Sequence, residues 1–150
     1  MPSTLTKELT ERGNFRAKVE VILLNGKARG YPFVIHNALR SQALQDAKVA
    51  AGFSKTKRSK HLAGKDGKAS AVDIICPPHL WGAHPDHVWV MLGRLALTQG
   101  CDWGGLWGLP WGVRRKLKAF LLDRTKPFDE FAWHGPLGWD RAHVQRKGWI

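Results

Sequence analysis

His61 and Asp73 are side chains of the types that share metal ions, and the chain between them is built to fold back. Asp73 lies in Ala71-Val72-Asp73-Ile74-Ile75, a short apolar run that reads as a buried strand. Gly64 and Gly67, between the two, favour a loop or hairpin. A zinc site takes about three protein ligands and keeps an open position for water. The best place to look for the third is Asp140-Arg141-Ala142-His143, near the C-terminal end.

Each of these residues has a plainer reading. His61 and Asp73 could form an ordinary histidine–carboxylate hydrogen bond, and His143 could be a satisfied core or surface histidine. Asp140 could be a loop carboxylate, and Arg40 one more surface cation. His134, in Asp129-Glu130-x-x-x-His134, is a rival third ligand. His84-x-x-His87, with His79, also has metal-like spacing. It sits in a Pro-rich connection whose only nearby acid is Asp86, so a structural or solvent-facing role is expected there.

The elements that must position these groups follow from periodicity. Leu5 and Leu9 suggest a short amphipathic turn or helix. Asn14 is a good N-cap for a helix carrying Phe15, Val19, Ile22 and Leu23 on one face, with Gly30 past its end. Pro32 opens a short strand, Phe33-Val34-Ile35. A second helix is expected over 39–51, with Leu39, Ala43, Leu44, Ala47 and Ala50 as its stripe and Gly52 at its end. Pro85-Asp86 starts a third, with Val88, Met91, Leu92 and Leu95 inward and Gly100 as the stop. Trp103-Gly104-Gly105-Leu106-Trp107 reads as a strand or tight turn. An amphipathic helix over 113–122 carries Arg114, Arg115, Lys116 and Lys118 on its polar side. The rest is aromatic and irregular, with a strand expected over 142–146.

The chain has 150 residues, is 43% hydrophobic and carries eight tryptophans, which fits one domain with a real core rather than a disordered chain. Its net charge of +12 calls for an anionic partner: nucleic acid, lipid headgroups or an acidic cell-envelope polymer. No helix-turn-helix, zinc-finger or aromatic RNA-platform pattern is present. No apolar run reaches the ~18 residues of a membrane span. Met1-Pro2-Ser3-Thr4-Leu5-Thr6 has no apolar core of a signal peptide, so the expectation is a protein held in the cytoplasm until something releases it. Cys76 and Cys101 form no C-x-x-C pair and are expected to be buried free thiols.

In order, the chain reads Leu39-Arg40-Ser41 with Gln45, then Ser59-x-His61, Ala71-x-Asp73, Trp103-Gly104-Gly105 and Asp140-x-x-His143. This set resembles the zinc peptidases that cut peptidoglycan peptides. They include D-alanyl-D-alanine carboxypeptidases and the L-alanyl-D-glutamate peptidases used as phage endolysins. The resemblance runs from about Phe15 to Gln145. Leu106 stands where the family often has an aspartate, and a longer segment precedes the last motif.

The resemblance implies zinc ligands at His61, Asp73 and His143, and Asp140 as general base and acid. It also implies Arg40 directed at the substrate or its developing oxyanion, and Ser59 and Gln45 around the substrate. Trp103 and Trp139 are the aromatics expected to line a groove. The residue types suit the chemistry. Two imidazoles and a carboxylate leave zinc an open position, a carboxylate beside a ligand can take a proton from water, and a cation can stabilise an oxyanion.

The expected fold is α+β: a small antiparallel sheet, helices packed on one side, and a zinc site at the open face. The expected function is hydrolysis of peptidoglycan stem peptides by a zinc endolysin, monomeric, acting on the cell wall after release from the host cytoplasm. Its basic surface would hold anionic envelope polymers. The alternatives are a D-alanyl-D-alanine carboxypeptidase and a non-catalytic basic nucleic-acid-binding protein.

Overall fold

The stripe at Phe15, Val19 and Ile22 needs an apolar partner, and a second helix supplies it. The computed structural model describes residues 4–37, 71–78 and 84–147. Helix α1 spans Thr4–Ala28; of the four expected stripe residues Phe15, Val19 and Ile22 are buried and Leu23 is half-buried. Asn14 is therefore inside the helix and not its N-cap, a correction to the expected start. An N-cap residue type states a preference, and carrying a helix through Gly13 costs only about 1 kcal/mol.

Helix α2, Asp86–Thr98, packs against α1 and begins where Pro85-Asp86 places it. Val88, Met91, Leu92 and Leu95 are buried as the periodicity requires. Trp89, Val90 and Ala96 are buried too, because this helix has neighbours on several sides. Helix α3, Trp111–Leu122, packs on α2 through Leu117 and Leu121 and leaves Arg114, Arg115, Lys116 and Lys118 exposed. Arg94 of α2 locks the pair. Its Nη1 donates to the carbonyls of Leu121 at 2.6 Å and Asp123 at 3.0 Å, oxygens that the helix end leaves without intrahelical partners.

Strands β1 (Val34–Asn37), β2 (Ala71–Ile75), β3 (Asp102–Trp103) and β4 (His143–Gln145) form one antiparallel sheet in the order β1-β2-β4-β3. The first strand is displaced by one position from the expected Phe33 start; Phe33 is buried instead. The tight Trp103-Gly104-Gly105 segment is a strand end running into a 3-10 turn, Gly104–Leu106.

Side chains alternate across a strand. Val72, Val144 and Trp103 form one cross-strand row, and it faces the helices: a side chain on Gly93 of α2 would collide with the Trp103 ring. Asp73 and His143 form the neighbouring row on the opposite face. The architecture is thus α+β, an open four-stranded antiparallel sheet with three helices among the described residues. The helix expected over 39–51 lies outside those residues.

Cys76 and Cys101 are free and buried, as expected. Burial pushes the Cys101 thiol up to about 11 and raises that of Cys76, which leaves both in the unreactive thiol form.

Candidate metal centre

Asp73 stands directly opposite His143 across the β2–β4 ladder, so their side chains leave the sheet on the same face. His143 Nδ1 is 3.5 Å from Asp73 Oδ1 and 3.7 Å from Asp140 Oδ2. Asp73 and His143 are buried, and the Asp140 side chain is 21% exposed, so the group opens to solvent on the Asp140 side.

Asp140 owes its place to a turn. His143 N–H donates to the Asp140 carbonyl at 3.1 Å, which sets a residue three positions earlier beside the imidazole. The Trp-Gly-Gly segment fixes the other side of that turn. Asp140 N–H donates to Gly104 O at 3.3 Å, Trp139 N–H to Trp107 O at 3.2 Å, and Gly138 N–H to Gly105 O. A Cβ at position 104 would run into the Asp140 carbonyl, so the approach requires glycine. Trp103 Nε1–H donates to Arg141 O at 2.6 Å, and Arg141 Nη1 donates to Asp86 Oδ1 at 3.0 Å, tying the turn to the start of α2.

Asp73, Asp140 and His143 offer ligand atoms that all lie within 4.8 Å of one another. Two carboxylate oxygens and an imidazole nitrogen suit a divalent cation, and zinc takes both donor types. Asp73 and His143, two of the three expected ligands, therefore fit the expected metal, with the Asp140 carboxylate beside them. The expectation of His61 as a ligand falls outside the described residues, as do Arg40, Gln45 and Ser59.

Trp103 requires correction. It is fully buried between the sheet and α2, so its ring is core and presents no face to a substrate. Trp139 is 74% exposed next to Asp140. Its ring leans on Trp107 at 5.8 Å between centroids, and Trp107 leans on His143 at 4.8 Å. Trp107 thus walls the imidazole, a role that spacing did not reveal. Gln145 was also missed: it is buried, and its Oε1 lies 2.9 Å from His143 Nε2. The signal that could have found it is the period of two along β4.

The rival groups are engaged elsewhere. Asp129 Oδ1 accepts from Phe131 N–H at 3.0 Å and caps the 3-10 turn Glu130–Ala132. Glu130 Oε1 accepts from the Tyr31 hydroxyl at 3.1 Å. His84 Nε2 accepts from Cys76 N–H at 2.7 Å, and His87 stacks on Phe131. Among the described residues, neither these histidines nor His134 joins a group of ligand types.

No protein-family model and no curated protein matches the chain. Among solved structures it is similar to the Serratia marcescens L-Ala D-Glu endopeptidase ChiX, at 24% sequence identity and a TM-score of 0.51. The match covers 90% of this chain and 79% of that one. The chain therefore shares its fold with an L-Ala D-Glu endopeptidase.

Proposed function

We propose that the protein is a zinc peptidase that hydrolyses peptidoglycan stem peptides at the L-alanyl-D-glutamate bond. The observation that carries this reading is the convergence of Asp73, Asp140 and His143 on the open face of a sheet whose fold is that of an L-Ala D-Glu endopeptidase. Asp73 and His143 would hold the metal, with His61 completing the set. Zinc so bound supplies a Lewis acid for the scissile carbonyl and lowers the pKa of water to about 7.

The chain's own groups do the rest. Asp140, with its carboxylate at the solvent side of the group, takes the proton of the attacking water and returns it to the leaving amine. Arg40 stabilises the developing oxyanion. Ser59, Gln45 and the exposed Trp139 position the peptide. The net charge of +12 favours accumulation on an anionic cell envelope. The endolysin role, with release from the host cytoplasm onto the wall, belongs to the same proposal.

Metal analysis together with mass spectrometry of digested muropeptides tests the reading. The expected result is about one zinc per chain and new D-glutamate amino termini. Release of terminal D-alanine would favour the carboxypeptidase. A metal-free, inactive protein that binds DNA in a salt-sensitive way would favour the nucleic-acid alternative.

A further inference from the structure

His143 and Gln145 are alternate residues of β4, so both side chains leave the same face of the sheet. Both are buried, and Gln145 Oε1 lies 2.9 Å from His143 Nε2. An amide oxygen has lone pairs only, so with the Gln145 amide oriented in this way the imidazole nitrogen opposite its oxygen carries the proton. A neutral imidazole has one N–H. With that proton on Nε2, Nδ1 presents a lone pair, and Nδ1 is the nitrogen that faces Asp73 Oδ1 and Asp140 Oδ2.

The two carboxylates alone would favour the opposite arrangement. At 3.5 and 3.7 Å they attract a proton onto Nδ1. Gln145 works against them from the other end of the ring. Trp107, packed on the imidazole at 4.8 Å, limits its rotation.

We infer that Gln145 is a positioning residue: its buried amide oxygen holds His143 in the Nε2–H form and so makes Nδ1 the metal-binding atom. This rests on the metal reading proposed above. A histidine ligand ordinarily gives its second nitrogen to such an acceptor, and losing that acceptor typically weakens metal binding about 10- to 100-fold. Gln145→Met keeps the length of the side chain and removes the acceptor. Gln145→Glu keeps an acceptor at the same reach.

The test measures zinc affinity by chelator competition, and the imidazole nitrogens of the zinc-loaded protein by nitrogen-15 NMR. The wild type should bind zinc through Nδ1 of His143 and retain a slowly exchanging Nε2–H. Gln145→Met should bind zinc ~10- to 100-fold more weakly and exchange that proton faster. Gln145→Glu should restore wild-type affinity, a rescue that mere packing would not give. Zinc on Nε2 in the wild type overturns the inference even if Gln145→Met fails to fold. A folded Gln145→Met with wild-type affinity overturns it too. In both cases the metal centre stands. A wild type that binds no zinc overturns the metal centre and this inference together.

Discussion

His143 meets a different kind of neighbour on each side: carboxylates at Nδ1, an amide oxygen at Nε2 and an indole against its ring. The two carboxylates beside Nδ1 should separate on mutation if the proposed chemistry holds. Asp73→Ala removes a buried donor directly across the ladder and should lose zinc and activity together. Asp140→Asn keeps shape and hydrogen-bonding capacity but cannot take a proton. It should keep zinc while turnover falls by ~10²- to 10⁴-fold. Asp129→Asn should cleave at close to the normal rate, since that carboxylate caps a 3-10 turn. Metal content and cleavage rate, measured side by side, decide the matter. Near-normal cleavage by zinc-loaded Asp140→Asn would remove it as the base. Asp73, Asp140 and His143 were legible in the sequence because a metal-type residue in an apolar strand and a carboxylate three positions before a histidine are local patterns. Gln145 and Trp107 were not. Their roles depend on strand phase and on a 3-10 turn, and a glutamine or tryptophan alone carries no such information.

The elements place these residues through a few close approaches. Gly104 is one of the tightest: a Cβ there would run into the Asp140 carbonyl. Gly104→Ala should cost about 1–3 kcal/mol in stability, as overpacking does. It should also lower cleavage beyond what the lost stability explains, because the turn that carries Asp140 must shift. Thermal melts and rates at a temperature where both forms are folded would show it; an unchanged rate would mean the turn tolerates the shift. Tyr31, just past α1, ties that corner of the fold to Glu130. Burial, then the Glu130 carboxylate, push its phenol from 10 up to about 12. A phenol raised in the folded state binds more protons there than in the unfolded chain across that window. Its contribution is full below the unfolded value and is lost as pH rises through the folded one. Denaturation midpoints on either side of the window should fall more for the wild type than for Tyr31→Phe; equal falls would remove the bond from the account. The sequence showed α2 and β2 almost to the residue because apolar period and Pro or Gly punctuation agree there. It misplaced the start of α1, where a capping residue type sits in a segment that continues as helix.

On the scale of the whole molecule, among the described residues, the basic run of α3 and the candidate centre lie on different elements. The net charge is +12, yet the candidate centre is a pair of carboxylates around one imidazole. Helix α3 turns Leu117 and Leu121 inward and holds Arg114, Arg115, Lys116 and Lys118 in solvent. At its start Trp111 is 71% exposed, with the Arg115 guanidinium 5.2 Å above its ring. Cations beside an exposed indole suit an anionic surface that also offers apolar contact. The sequence displayed this face through the helical period of its charges, but not that Trp111 would join it. Under the proposed function, this face serves capture of the envelope while the sheet face serves cleavage. Exchanging Arg114, Arg115, Lys116 and Lys118 for glutamine should weaken sedimentation with intact cell walls and flatten its salt dependence. Turnover of small soluble muropeptides should be spared, because surface charge is screened within ~8 Å at physiological salt. The two substrates therefore read two parts of the molecule. Loss on walls alone would assign the basic helix to capture, whereas equal loss on both would make α3 a wall of the catalytic cleft.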